Sequence, residues 1–263
     1  MRTPLICAIF SVIAACSSGS TGPTARDPQR MSESEYDIAR DLWLRRNQPR
    51  EALAHALKAI DLDDNNAEAA HLVALLYLEF CSRGPTECRL GEAEKQARLA
   101  LRNKPDFREA KNTLAVVLIH EKKYADAIAV LKPLTEDILY QTPENAWGNL
   151  GWAYLEQRSF DLAIDALKHS VAAQPLFCVG SYRLGLAFEQ KQELTSALDA
   201  FTRALETEAP GCNSLQEAFA ARARVRIKLG DSDAARTDLD RCVALSGKTN
   251  LGKECSSMLQ KFK

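Results

Sequence analysis

The sequence lacks the short motifs that usually accompany enzyme chemistry. It has no GxSxG motif and no glycine-rich loop of the kind that binds phosphate. None of its histidines forms an HExxH pair or stands beside a cysteine at the spacing of metal ligands. The four histidines are His55, His71, His120 and His169. We therefore predict a protein that is not an enzyme, with no catalytic residue, metal, cofactor or small-molecule substrate; an enzyme is only a remote alternative.

An excess of charge of one sign is also absent. Lysine and arginine number 34 against 35 aspartate and glutamate residues, so the formal net charge is −1. No basic stripe with interleaved aromatic side chains occurs, which disfavours nucleic acid as a partner. Strand signals are nearly absent too. Alanine and leucine recur at helical spacing, with Gly or Pro roughly every fifteen residues, and this pattern predicts an all-α protein.

The chain begins with a short apolar run. This run, LICAIFSVIAA from Leu5 to Ala15, has eleven residues, whereas a membrane-spanning helix needs about 20. Its length suits the apolar region of an export signal. The run leads into Ile13-Ala14-Ala15-Cys16, which resembles the lipobox of bacterial lipoproteins. The resemblance implies cleavage before Cys16 and lipidation of its thiol, and an ordinary signal peptide with a chance cysteine is the alternative.

The residues after Cys16 predict where the protein is anchored. In lipoproteins of this type an aspartate at the next position usually retains the protein in the inner membrane, and here that residue is Ser17. Residues 17–30 are polar and rich in Ser, Gly and Pro, as in a flexible tether. We expect a signal peptide over 1–15, a lipidated tether over 16–31 and a folded domain over 32–263. The protein would then be lipid-anchored in the outer membrane, facing the periplasm.

The predicted export of the protein indicates a role for its cysteines. Of the eight cysteines, Cys7 leaves with the signal and Cys16 carries lipid, so six remain in the folded domain. An even number in an oxidising compartment argues for disulfides, and six cysteines allow 15 connectivities. The choice among these connectivities depends on the repeats described next.

The sequence repeats itself with a period of 34 residues. The segment WGNLGWAYLEQRSFDLAIDAL at 147–167 aligns with SYRLGLAFEQKQELTSALDAF at 181–201. The period and the pattern Trp-x-x-Leu-Gly-x-x-Tyr, then Ala, then Pro, resemble the tetratricopeptide repeat. The resemblance implies a right-handed superhelix of six helix–turn–helix repeats. We expect repeats at about 32–65, 66–105, 106–142, 143–176, 177–211 and 212–246, with a capping helix over 247–263.

Alanines that open the second helix of each repeat show where the period is broken. They are Ala52, Ala93, Ala127, Ala163, Ala197 and Ala235, and the gaps between them are 41, 34, 36, 34 and 38. This register places Arg40 and Arg226 in slots that prefer small or aromatic residues, and atypical terminal repeats are expected in solenoids. The gap of 41 holds seven extra residues, at CSRGPTEC in positions 81–88.

The same register suggests how the cysteines pair. A Cys81–Cys88 bridge would close the enlarged loop and contribute about 2 to 3 kcal/mol on the chain-entropy estimate. Cys178 and Cys212 are 34 residues apart at repeat boundaries and are expected to meet across the stack. Cys242 and Cys255 would then join the last repeat to the capping helix.

The first helices of such repeats line a concave surface that binds peptide segments. The inward positions follow the small slot and the aromatic slot, and in the four central repeats seven of eight are apolar. The predicted protein-binding groove consists of Leu75, Leu78, Val116, Ile119, Trp152, Leu155 and Leu186. Glu189 is the polar eighth, and the end repeats contribute Asp41, Leu44, Arg224 and Ile227. Trp152 is the expected anchor, and the alternative is that these side chains only thicken the core.

One segment suggests a partner. Residues 130–171 resemble the central portion of the PilF/PilW/Tgl family of type IV pilus lipoproteins. The shared features are a leucine-rich second helix, Leu139-Tyr140, a polar linker with Pro143, and Asn149-Leu150-Gly151 opening the next helix. The plan of lipobox, tether and about six repeats is also similar. The six cysteines of the folded domain depart from this family's general pattern and suggest reinforcement.

Members of that family are pilotins, which bind secretin subunits and support their insertion and multimerisation in the outer membrane. The resemblance implies that the partner is a secretin of the type IV pilus and that the function serves twitching or gliding motility. A generic periplasmic scaffold lipoprotein, of outer-membrane protein assembly or of peptidoglycan machinery, is the alternative. A secretin of type II or type III secretion, the segment bound and the stoichiometry stay open.

Overall fold

The structure, a computed structural model, describes residues 27–262. The predicted signal peptide, the lipidation site Cys16 and most of the tether lie outside the described residues. The first helix begins at Pro28, so residues 28–31 belong to the folded stack and not to the tether. Within 27–262 no helix is both long and apolar enough to cross a membrane.

The described part of the chain is all-helical and contains no strand. Its α-helices form six antiparallel pairs and one final helix. They are α1 Pro28–Leu44, α2 Pro49–Leu62, α3 Ala67–Arg83, α4 Leu90–Asn103, α5 Arg108–His120, α6 Tyr124–Thr135, α7 Pro143–Glu156, α8 Phe160–Ala173, α9 Cys178–Gln190, α10 Leu194–Glu206, α11 Gln216–Lys228, α12 Ser232–Ser246 and α13 Asn250–Leu259. Short 3₁₀ helices span Cys212–Ser214 and Gln260–Phe262.

The two helices of each repeat cross closely because the crossing point carries small residues. At Gly151 an added Cβ would lie 2.4 Å from Leu167 Cγ, and at Gly185 it would lie 2.5 Å from Phe201 Cδ1. Ala115 fills the same slot in the third repeat and is fully buried. Small residues at this slot therefore let a large side chain of the second helix reach the first helix.

A recurring tight turn joins the first helix to the second. One residue adopts a left-handed conformation, for example Lys122 at φ 63° and Arg158 at φ 65°. The amide of the next residue then bonds the carbonyl five residues back, as in Lys123 N to Leu118 O and Ser159 N to Tyr154 O. This turn satisfies carbonyls at the end of the first helix, and it fixes the register between the two helices.

The turn of the first repeat is one residue longer. Gln48 N bonds Leu42 O, six residues back. The extra residue shifts α1, so that fully buried Ala39 occupies the small slot while Arg40 is exposed. The placement of Arg40 in that slot is therefore wrong. The concave positions of this repeat become Arg40 and Trp43 in place of Asp41 and Leu44, because spacing alone does not show an extra turn residue.

Three disulfides reinforce the stack, and their pairing is the one expected from the repeats. Cys81–Cys88 closes the enlarged loop after α3. Cys178–Cys212 joins the start of α9 to the α10–α11 connection, with Cα atoms 5.8 Å apart. Cys242–Cys255 joins α12 to α13, with Cα atoms 6.3 Å apart. Two of the bridges therefore link neighbouring elements of the stack, whereas Cys81–Cys88 closes the enlarged loop between α3 and α4.

Candidate protein-binding groove

The inner side of the stack is formed by the first helices of the repeats. Helices α3, α5, α7 and α9 each contact the next first helix, in addition to their own partner helix. The second helices make no comparable contact with one another in residues 27–262. Elements on the inside of a curved stack lie closest together, so the concave surface belongs to the first helices, as the sequence predicts.

Six of the seven predicted groove residues keep part of their surface accessible. They are Leu75, Leu78, Val116, Trp152, Leu155 and Leu186, all half-buried. Ile119 is only 2 % exposed, so it does not line the groove. It belongs to the apolar cluster against which Trp152 and Leu155 pack, and side chains of this cluster cover it.

The six remaining residues differ in how they are held. Trp152 and Leu155 pack against the largest core cluster, and Leu186 packs against the cluster around Phe201. Leu155 and Leu186 also line one surface depression between the ends of α7 and α9, together with Phe160 and the polar residues Glu156, Arg158 and Gln190. Apolar side chains that are packed against the core and rimmed by polar groups suit the binding of another apolar segment.

A ladder of polar side chains runs beside this apolar row. Asn149 Nδ2 donates to Asn112 Oδ1 over 2.9 Å, and Arg183 Nη1 donates to Asn149 Oδ1 over 3.0 Å. The guanidinium of Arg183 lies 4.5 Å from the centroid of the Trp152 ring, and His120 meets the same ring edge-on at 5.1 Å. Trp152 is therefore held between two repeats and is not a freely protruding anchor.

Arg183 and Asn112 are not among the residues predicted from the sequence to line the groove. A signal for part of the ladder was nevertheless available. Asn149 and Arg183 each stand two positions before the small residue of their repeat and are 34 residues apart. A solenoid places residues at the same repeat position side by side in neighbouring repeats. Polar residues at the same position of two neighbouring repeats therefore predict a contact.

The pKa values of two histidines on this face, His71 and His120, are lowered, which favours the neutral form of each ring. Burial lowers the pKa of His71 to about 4, opposed by Glu109 and Glu68, and the ring bonds Thr113 Oγ1 over 2.9 Å. Burial, followed by the charge of Arg183, also lowers the pKa of His120. Both rings therefore act as neutral packing and hydrogen-bonding groups, and no three His, Cys, Asp or Glu side chains gather to hold a metal within 27–262.

Glu189, the polar exception in the predicted groove, is buried and paired. Its carboxylate accepts from Arg224 Nη2 over 3.1 Å and from Lys228 Nζ over 2.8 Å. Burial alone would raise the pKa of Glu189, but Lys228 and Arg224 outweigh it and hold the pKa below its usual range. This end of the groove is an ion cluster, in which two cations surround one carboxylate, and not an apolar surface.

Comparison with known proteins identifies the repeats. A family model of the tetratricopeptide repeat matches residues 89–135 and 149–211. Within these two segments the chain matches the tetratricopeptide repeat. The all-α superhelical fold expected from the sequence is thereby confirmed. The sequence matches none of the curated proteins with which it was compared.

Solved structures of similar fold cover most of the chain. PilW, a widely conserved type IV pilus biogenesis factor, is 24% identical with a TM-score of 0.71, over 85% of this chain and 97% of that one. PilF of Pseudomonas aeruginosa is 16% identical with a TM-score of 0.67, over 88% and 99%. A tetratricopeptide repeat protein of Parabacteroides merdae is 13% identical with a TM-score of 0.69, over 87% and 84%. At these identities the likeness shows a shared fold.

Proposed function

We propose that this protein is a pilotin, a lipid-anchored protein of the outer membrane that binds secretin subunits and promotes their insertion and multimerisation for type IV pilus assembly. The observation that carries the proposal is the row of six half-buried apolar side chains along the inner face of the stack. The fold shared with PilW and PilF along nearly their whole length supports the choice of machinery.

The proposed activity is binding without chemistry. An apolar segment of each secretin subunit occupies the groove, where Leu155 and Leu186 flank a depression. The segment is thereby kept from aggregating until the secretin ring closes. Lipid on Cys16 brings the groove to the inner leaflet of the outer membrane. Many anchored copies around one ring gain affinity through effective concentration.

Introducing a charge into the apolar row tests the proposal. We expect Leu155→Asp, alone or with Leu186→Asp, to abolish secretin multimers, because a buried carboxylate replaces apolar contact with the partner. The measurement is an immunoblot of detergent-resistant multimers in cells that express the variant as the sole copy. Leu162→Asp is the matched control, since Leu162 is 52% exposed on the second helix of the same repeat.

Two controls complete this experiment. Circular dichroism must show that the groove variants stay helical. Co-purification from membranes distinguishes a secretin from another envelope protein, and recovery of an outer-membrane assembly or peptidoglycan protein in its place would favour the scaffold alternative. Normal secretin multimers in cells whose Leu155→Asp protein is folded would contradict the proposed role of the groove.

A further inference from the structure

We infer that Arg183 forms a recognition site for a carboxylate on the segment that occupies the groove. The inference rests on the proposed role of the groove as a protein-binding surface, but not on the identity of the partner. It specifies the ligand as an apolar segment that carries one aspartate, glutamate or terminal carboxylate among its contact residues.

The guanidinium of Arg183 is fixed on one side only. Its Nη1 donates to Gly148 O over 3.2 Å and to Asn149 Oδ1 over 3.0 Å. Asn149 is in turn held by Asn112, and the guanidinium carbon lies over the Trp152 ring, 4.5 Å from its centroid. Contacts from α5 and α7 therefore set the position and the orientation of the group on α9 before any ligand arrives.

The other side of the guanidinium remains available. Nε and Nη2 of Arg183 bond no other residue within 27–262, and both atoms keep some solvent-accessible surface. These two donors form the edge of a guanidinium that binds both oxygens of a carboxylate in parallel. The preformed geometry therefore suits a bidentate contact from the groove.

The charge of Arg183 has no ion-pair partner inside the protein, in contrast to two other buried charges of the stack. Glu189 is paired with Arg224 and Lys228, and Asp238 with two further arginines. No carboxylate of residues 27–262 forms an ion pair with Arg183. Burial lowers the pKa of Arg183 to about 10, with Tyr182 and Glu156 acting weakly in the opposite direction. A cation that has lost water without gaining a counter-ion favours an anionic ligand.

The surroundings of Arg183 restrict the ligand further. Trp152 lies against the guanidinium, and Leu155 and Leu186 line the neighbouring depression. A free phosphate or a strongly acidic tail would leave this apolar surface uncovered. A carboxylate that is flanked by apolar side chains on a peptide uses both features at once.

A peptide library that contains no secretin tests the inference independently of the proposed function. Random twelve-residue peptides displayed on phage are selected on the purified mature protein. We expect the enriched peptides to carry an aspartate or glutamate between apolar residues. For the synthetic peptides, replacing that side chain by its amide should weaken binding to the wild type by about tenfold or more, as for a charge-assisted hydrogen bond. Fluorescence anisotropy measures the affinities.

Variants assign the effect to Arg183. In Arg183→Gln the acidic peptide and its amide should bind within twofold of each other, and Arg183→Lys should retain a reduced preference because it keeps charge but not the fork. Arg203→Gln is the control, since Arg203 is exposed on α10, the second helix of the same repeat, and does not line the depression. That variant should keep the full preference.

Three outcomes would overturn the inference: no enriched peptides, enrichment without acidic residues, or an unchanged preference in Arg183→Gln. If Arg183→Gln does not fold, Arg183→Lys is measured in its place, and an undiminished preference for the acidic peptide in that variant overturns the inference. To separate side-chain from terminal carboxylates, each peptide is tested with a free and an amidated C-terminus. Failure of secretin capture alone would leave this site intact and would count against the proposed function only.

Discussion

The fourth and fifth repeats and the last repeat solve the same packing problem with different chemistry. In the fourth and fifth repeats a glycine at the crossing admits Leu167 or Phe201. Tyr154 and Phe188 occupy the aromatic slot there, and apolar neighbours lie on both sides. In the last repeat the aromatic slot holds Arg226, which donates to Asp238 Oδ2 over 2.8 Å.

The last repeat replaces apolar contact by an ion cluster and a covalent link. Asp238 is 2% exposed, accepts two further bonds from Arg222 and so pairs with two arginines. Beyond it Cys242–Cys255 ties on α13, which covers the end. A terminal repeat has a neighbour on one side only and cannot bury as much apolar surface. Directional bonds hold it in place, and they fail more abruptly when one partner is removed.

Removing the central acid of that cluster should have the largest effect. Asp238→Ala leaves Arg222 and Arg226 buried without a counter-ion, and loss of one partner from such a cluster costs about 3 to 5 kcal/mol. We expect hydrogen exchange of α11–α13 to accelerate before that of α5–α10. Asp240→Ala, at an exposed position of the same helix, is the control. Equal protection of both ends in Asp238→Ala would contradict the contrast between the regions.

Removing the terminal disulfide should be the next most damaging change. Cys242 and Cys255 are 13 positions apart in the sequence, and opening such a loop costs about 3 kcal/mol on the chain-entropy estimate. The double alanine variant should release α13 in limited proteolysis and lower the melting temperature. The matched comparison is Cys81→Ala with Cys88→Ala, which opens a loop inside the stack. A smaller loss, about 2 kcal/mol, is expected there, and the opposite ranking would show that the terminal repeat does not depend on its bridge.

A change at a central crossing should have the smallest effect of the three. Gly185→Ala places a methyl group 2.5 Å from the Phe201 ring, and overpacking of this kind costs about 1 to 3 kcal/mol. Urea unfolding followed by circular dichroism measures the loss. Gly91→Ala is the control, because a Cβ at this helical glycine meets nothing within 4 Å. That variant should be neutral or up to about 1 kcal/mol more stable, and a similar loss in both variants would disprove the role of close crossing.

Much of this architecture follows from short-range features of the chain. The 34-residue spacing of Gly151 and Gly185 predicts neighbouring repeats with close crossings, and the structure has both. Cysteine positions relative to the repeats lead to the pairing that the structure contains. Such features are accessible because a solenoid contacts mainly its sequence neighbours, so a local register becomes a spatial one.

The misplaced residues show where the register stops being informative. Ile119 has the spacing of a groove residue, yet it is buried in the core cluster against which the adjacent α7 side chains pack. Arg40 has the spacing of a crossing residue, yet one extra residue in the turn places Ala39 there. In both cases side-chain volume or turn geometry in three dimensions decides the outcome, and spacing does not record either.

The sequence alone was sufficient to determine the repeats, the helices and the identity of the small and cysteine positions, since these depend on periodicity and local chemistry. Only the tertiary structure decided which inner side chains stay accessible and that Arg183 meets Trp152 and Asn149 with two donors left over. The accessibility of a side chain and the pairing of its charge depend on neighbouring residues from three helices. The angle at which those helices pack therefore determines them, and no single segment encodes that angle.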